Sequence, residues 1–283
     1  MISPYVRRLR LAAELRALRN EHGVTHEQLA KMIGQSRAQI SRLENGHAVD
    51  QDDVIRILDA LGVDGERWMT IMTITREAGE RGWWESNKAM GERQARYANL
   101  EAGAASIREF QMAFLPGLLQ TAEFTRARVE AEGLTGARGL IAEKILEARV
   151  GRQRMLNRPG GPTYDVIIDE LAIRRVAAPD EVVRAQLYHI ASKVNGSPRM
   201  TVQVLPIEAV IDGYTMPRSA FSIYTFPDPG DPTVVAVDTV TDDLVLTTDD
   251  ATKRYDELFQ RLSDAALSVG DSLEFLIQTA TAP

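Results

Sequence analysis

Residues Gln28–Gly46, QLAKMIGQSRAQISRLENG, constrain the fold of this chain more than any other stretch. Leu29, Ala30 and Ile33 recur at helical spacing, and so do Ile40 and Leu43. Gly34 lies between the two runs, where a residue without Cβ accepts positive φ at little cost. Each run opens on a capping-box pattern: Thr25 with Gln28, and Ser36 with Gln39. The pattern predicts two short helices joined by a tight turn, the second of about ten residues, a geometry that sets a helix into the major groove of DNA. With Ile40 and Leu43 inward, Arg37, Ala38, Ser41 and Arg42 fall on the outer face, where arginines suit guanine edges or phosphates. Spacing alone leaves open an αα-hairpin with a solvated basic face.

Charge is distributed to match. The whole chain carries a net charge of −7, yet residues 1–45 hold eight basic residues against four acidic ones. Residues 46–75 reverse the balance, with two basic and six acidic. A locally basic reader on an acidic body discourages loose binding to DNA, and the binding it does make fades quickly with salt. The 283 residues suffice for two domains, each with its own core. The absence of cysteine removes disulfides, thiolate metal sites and cysteine nucleophiles. No apolar run of about 18 residues occurs, and the N-terminus lacks a signal-like apolar core, so a cytoplasmic protein without a membrane span is expected.

Taken in order, the chain predicts a first helix over Pro4–His22 stopped by Gly23, with Arg7, Arg8 and Arg10 either reaching phosphates or lying on a solvated face. A fourth helix is expected over Asp50–Leu61, capped by Gly62, and a fifth over Asp64–Gly79. The tandem Trp83-Trp84 can pack the reader on the body, line a ligand pocket or join a dimer surface. Helical periodicity continues through Lys88–Phe110. Pro116-Gly117 then breaks the chain before a helix begun by Thr121. Further helices are read at Lys144–Leu156, Glu181–Val194 and Asp249–Leu267, and strands at Tyr164–Asp169, Thr201–Leu205, Phe221–Phe226, Val234–Val240 and Leu244–Thr247. The expected architecture is an N-terminal all-α five-helix domain over 1–75, a helical connector and the start of the C-terminal domain over 76–160, and an α+β effector- or partner-binding domain with a mixed, mainly antiparallel sheet over 161–283. Trp83, Trp84 and Gln120 are the ligand-binding candidates.

Catalysis has one candidate: Asp165, Asp169 and Glu170 with Arg174 and Arg175, at the end of a strand. Such carboxylates can hold Mg²⁺ or move protons, but a solvated strand end with surface ion pairs explains the same residues. His189 stands alone, the other three histidines (22, 26, 47) lie in the reader, and no GxSxG, phosphate loop or GxGxxG is present. No catalytic residue, metal or cofactor is expected.

The pieces Leu9–Leu18 with Arg19, HGVTHEQLAKMIGQSRAQISRLENG and VIRILDALGVD resemble the Xre/Cro-type helix-turn-helix domain over residues 5 to 63. The resemblance implies a five-helix bundle whose third helix, Ser36–Asn45, reads the major groove. It implies that Arg37, Ala38 and Arg42 read bases and that Ser36 and Gln39 lie at or near the DNA backbone; Ser41, from its place on the outer face, joins them as a DNA-binding candidate. His26 stands where the family usually has a phosphate-contacting glutamine, making that contact weaker or pH-sensitive. Arg19 and Glu44 match an internal ion pair. The following loop, with His47 as its DNA-binding candidate, lacks the family's usual Lys/Arg.

A second resemblance covers residues 80–275: GWWES, LEAGAASIREFQMAFLPGLLQTAEFTRA, ILEARVGRQRML, YDVIIDELAIRR, MTVQVLPIEA and DDATKRYDELFQRLSDAALS. These are similar to the C-terminal region of a group of actinobacterial (Streptomyces-like) Xre-type regulators, a domain of unknown function. The resemblance implies a transcriptional regulator, often encoded beside a small partner protein, and no defined ligand. The recognition helix and a second domain far larger than DNA binding needs point to a homodimer on a palindromic double-stranded DNA operator, with the second domain sensing a small molecule or a partner protein. An antitoxin-like or scaffold protein that autoregulates is the alternative.

Overall fold

The computed structural model describes residues 1–86, 90–131, 139–239 and 243–281. The start of the helix expected from Lys88 and the end of the strand expected to Val240 lie outside the described residues. The chain divides into two compact units: Met1–Ser86 with Phe226–Pro232, and Asn87–Thr225 with Thr233–Pro283.

Five helices build most of the first unit: α1 (Pro4–Glu21), α2 (His26–Ile33), α3 (Arg37–Leu43), α4 (Gln51–Ala60) and α5 (Gly65–Ala78), followed by the single turn α6 (Trp83–Ser86). Ser3, Thr25, Ser36 and Asp50 cap the first four through their side-chain oxygens. Gly34 ends α2 at φ 68°, in the left-handed region that the turn into α3 requires. The core is aliphatic: Leu11, Leu15 and Leu18 meet Leu29 and Ile33, Ile40 and Leu43, Val54, Ile57 and Leu58, and Ile71 and Ile74. Each such buried side chain contributes roughly 1.5–3 kcal/mol.

The second unit contains a six-stranded sheet. Its elements are α7 (Glu92–Gly103), β1 (Ser106–Gln111), α8 (Ala122–Ala131), α9 (Gly139–Asn157), β2 (Thr163–Asp169), α10 (Glu170–Arg174), α11 (Asp180–Asn195), β3 (Met200–Leu205), β4 (Phe221–Thr225), β5 (Val234–Val237), β6 (Leu244–Leu246), α12 (Asp249–Ala265) and α13 (Val269–Thr281). The strand order is β3-β2-β1-β4-β5-β6. β1, β2 and β3 run parallel, and β4, β5 and β6 add antiparallel neighbours, with Phe110 opposite Ile167 on one side and Phe221 on the other. The fold is α+β with a mixed sheet. The alternation of β1 divides the two faces. Phe110 points to a core with Ile167, Phe221, Ile223, Phe259 and Leu262, closed by α12. Glu109 points the other way.

The main departure from expectation lies at β1. The helical period read through Phe110 stops at Gly103, and Ser106–Gln111 becomes a strand in the middle of the sheet. The run SIREFQ mixes polar and apolar residues at a spacing that fits either period, and pairing on both edges decides it. The central strand β1 lies within the stretch read as a helical connector and the start of the C-terminal domain. α13 was not read from the sequence.

Candidate nucleic-acid interface and cavity

The helix α3 is seven residues long, shorter than the ten expected, because Glu44 already serves as its C-cap. Ser36, Arg37, Ala38 and Arg42 are exposed, whereas Gln39 and Ser41 are half-buried. Arg37, Ala38 and Arg42 share the side of α3 opposite Ile40 and Leu43, which are buried in the core, and Ser36 caps its start.

Two carboxylates brace that face from behind. Glu44, only 3% exposed, accepts from Arg19 Nε (2.7 Å) and Nη2 (3.0 Å) and lies 3.0 Å from His26 Nε2. Its backbone oxygen accepts from Arg16. Burial pushes the Glu44 carboxyl up, but Arg19 and His26 outweigh it and hold the group below its usual range. His26, expected at a phosphate, is thus turned into the same cluster as the Arg19–Glu44 pair. The second brace is Asp53 on α4. It accepts from Gln35 Nε2 (2.7 Å), Gln39 Nε2 (3.0 Å) and Arg56. Burial pushes Asp53 up, yet these donors hold it low. The reciprocal capping box is complete at Thr25 and Gln28, but not at Ser36: Gln39 N donates to Ser36 Oγ, and the Gln39 side chain goes to Asp53 instead. Gln39 therefore fixes α3 against α4 from within the unit.

Sequence reasoning passed over Asn45. Its amide donates to Ser41 O (2.6 Å) and Ser41 Oγ (3.3 Å) on the exposed end of α3. His47 is exposed beyond Gly46, which sits at φ 75° with Leu9 Cδ2 3.3 Å from where a Cβ would stand.

The arginines of α1 take another course. Arg7 is 7% exposed and meets Glu77 (2.9 Å), Asp228 (2.9 Å) and Asp231 (2.9 Å). Arg10 meets Asp228 and Asp231 as well, and its guanidinium occupies the space a side chain at Gly230 would need. Arg8 donates to Ala78 O (3.2 Å). Arg7 and Arg10 are thus neither at phosphates nor on a solvated face; they tie α1 to the segment Phe226–Pro232. The Gly230 amide and Arg7 hold Asp228 well below the carboxylate range, while burial pushes Asp231 up.

These shifts set a pH response. Glu44, Asp53 and Asp228 are held low in the folded first unit, so their contribution is present above the ordinary carboxylate range and is lost as the pH falls through it. Asp231 opposes them singly. Trp68, Trp83 and Trp84 all lie in the first unit, so tryptophan fluorescence reads its unfolding. The melting temperature so recorded is expected to fall steadily below about pH 4.5. A flat profile down to pH 3 would contradict the bracing role of these carboxylates.

In the second unit a cavity of about 850 Å³ opens on the Glu109 face of the sheet. Its floor is polar and buried. Arg152 forks onto Glu101 (Nε to Oε2 2.9 Å, Nη2 to Oε1 2.5 Å), reaches Gln94 Oε1 (2.5 Å), and lies 5.3 Å from the centre of the Tyr97 ring. Glu109 accepts from Tyr164 Oη (2.5 Å) and Gln111 Nε2 (2.7 Å), and burial pushes its carboxyl above the usual range. Gln120 lines the cavity: its Oε1 accepts from Arg149 Nη1 (2.9 Å) and its Nε2 donates to Leu115 O (2.7 Å). Trp83 and Trp84 belong to the first unit and do not line this cavity. Trp84 is buried, its ring filling the space beside Gly82, and the two rings meet edge to face at 6.0 Å. The cavity arginines went unread, although Arg149 and Arg152 stand three apart on one helix face.

The carboxylates at the end of β2 are each engaged in local structure. Asp165 accepts from Thr201 Oγ1 (2.5 Å), Asp169 caps α10 through Leu171 N (2.9 Å), and Glu170 accepts from Ile207 N (2.9 Å) and Arg174. Among the described residues no cluster of three potential ligands stands ready for a metal.

Residues 94–278 match the family described as a domain of unknown function, DUF5753. The chain belongs to the DUF5753 family. In this family member the matched stretch begins in α7 and ends in α13, and so takes in the whole sheet and nearly all of the cavity wall. Residues 10–68 match a helix-turn-helix domain, a span that contains α2, α3 and both braces. The first unit of this DUF5753 protein is thus a helix-turn-helix domain of the DNA-binding kind. No curated protein matches the chain. Among the described residues no helix is long and apolar enough to cross a membrane.

Proposed function

We propose that this DUF5753 protein is a sequence-specific DNA-binding transcriptional regulator whose second unit binds a small molecule and thereby changes DNA affinity. One observation carries the reading: α3 presents Arg37, Ala38 and Arg42 outward, while Glu44 and Asp53 fix its orientation from behind. In the groove, Arg37 and Arg42 donate to guanine edges, Ala38 packs on a thymine methyl, and the Ser36 end of α3 meets a phosphate. The protein binds a palindromic operator as a two-fold dimer. The ligand site is the Glu109-face cavity, whose volume suits a drug-sized molecule. The reading involves no catalytic step and no cofactor.

The test is selection from a randomised duplex library with the full chain. The expected result is a motif with dyad symmetry, its half-sites about 10–10.5 base pairs apart. Arg42→Ala is expected to relax the preference at one position per half-site, costing about 1–3 kcal/mol there. Enrichment of no motif would sink the reading.

A specific observation supports a second reading, in which the second unit holds a partner protein. Ile207, Val210, Tyr214 and Met216 are 59–87% exposed along one connection between β3 and β4. Apolar side chains so concentrated suit a protein interface. A stable complex with a small protein encoded nearby, broken by Tyr214→Asp, is the outcome this reading predicts.

A further inference from the structure

We infer that the connection Phe226–Pro232 is the clip through which the cavity acts on the recognition helix. The inference rests on the reading of the second unit as a ligand-binding unit and names its route to α3.

The segment belongs to the first unit, while the strands it joins, β4 and β5, belong to the second. Ser222 and Tyr224 on β4 and Ala236 on β5 line the cavity, with Ser222 directly opposite Ala236 in the sheet. Val235 and Val237 take the other face, in the core with Phe110. A molecule that enters the cavity therefore bears on the hairpin whose tip is this segment. The tip is short and stiff. Its sequence, FPDPGDP, fixes φ at three prolines, Pro227, Pro229 and Pro232. Asp228 folds it into a turn, its Oδ1 accepting from Gly230 N (2.9 Å) and its carbonyl from Asp231 N (3.0 Å). A tip braced on itself carries a shift of either strand as a body, where a slack loop would absorb it.

Within the first unit, α1 holds the clip at one end and α3 at the other. Arg7 and Arg10 grip Asp228 and Asp231, and Arg7 also pairs with Glu77 on α5. Near the far end of α1, Arg19 forks onto Glu44, the C-cap of α3, whose carbonyl accepts from Arg16. Helical rise sets Arg7 and Arg19 about 18 Å apart along one rod. That rod turns a movement of the hairpin into a tilt of α3, and so of Arg37 and Arg42. Linkage makes the effect reciprocal: DNA held by α3 changes the affinity of the cavity.

The experiment compares four full-length chains by fluorescence anisotropy on DNA from upstream of the protein's own gene. They are the parent, Ala236→Leu, a slack chain, and the slack chain with Ala236→Leu. The added leucine side chain enters the cavity from its wall and stands in for a bound molecule. The slack chain has Gly-Ser-Gly-Ser inserted after Thr225 and again after Pro232, where the chain passes from one unit to the other, so every residue of the clip is retained. Ala236→Leu is expected to shift the dissociation constant at least about threefold in the parent and by less than about 1.5-fold in the slack chain. Ser222→Leu, from the opposite strand, takes its place if circular dichroism shows that Ala236→Leu does not fold. A shift of equal size in the parent and the slack chain would overturn the clip and leave a sensing cavity standing. No shift in the parent from a folded leucine variant would overturn the clip while DNA binding stands. No binding by the parent would overturn the regulator reading itself, and the clip with it.

Discussion

Arg152→Ala is expected to destabilise the second unit by about 3–5 kcal/mol. Glu101 is 1% exposed, and Arg152 supplies its countercharge through two forked contacts. Removing the arginine leaves a buried carboxylate with that partner gone, and it also strips Gln94 and the Tyr97 ring of their contacts. Against a typical unfolding free energy of about 5–15 kcal/mol, the loss is large. Chemical denaturation followed by far-ultraviolet circular dichroism will record it. The double variant Glu101→Leu/Arg152→Met removes both charges and is expected to recover most of the loss, because two apolar groups incur no desolvation penalty. A cost below about 1 kcal/mol for the single variant would place the pair in water and contradict its burial.

Arg7→Ala is the counterpart in the first unit, with an expected cost of about 3–5 kcal/mol. Arg7 faces three carboxylates at 2.9 Å, and Asp231 among them has a side chain only 5% exposed. Without the arginine, Glu77, Asp228 and Asp231 repel one another around Arg10 alone. Tryptophan fluorescence reads this transition, since all three tryptophans lie in the first unit. Arg7→Lys is expected to retain part of the stability, because an ammonium keeps the charge but lacks the fork. If Arg7→Ala leaves the tryptophan transition in place, the segment Phe226–Pro232 does not belong to the folded first unit.

The reader was largely legible in the sequence, and the reasons are local. Thr25, Gly34, Ser36 and Gly62 act on backbone groups within a few residues, so spacing alone locates the turns. The Arg19–Glu44 pair came from family resemblance, and the geometry agrees. What local pattern did not reveal lies in long-range partners. Gln39 reads equally well as a cap or as a groove contact until Asp53, fourteen residues on, claims its amide. Arg7 and Arg10 look like phosphate binders until Asp228 and Asp231 arrive from more than two hundred residues away. The cavity is the same case at larger scale. Glu101, Glu109 and Arg152 come from α7, β1 and α9, and β1 was hidden within an apparent helical period. Tandem tryptophans are conspicuous in a sequence, yet Trp84 is buried beside Gly82 and lines no part of the cavity.

The central claim, that α3 reads DNA, is tested most directly by fluorescence-anisotropy titration of the full chain on DNA from upstream of its own gene. The titration is run at two salt concentrations beside Arg37→Ala/Arg42→Ala. The account predicts tight, sequence-preferring binding that weakens with salt and is lost in the double variant. Binding that the double variant retains in full, with the same preference, would contradict it.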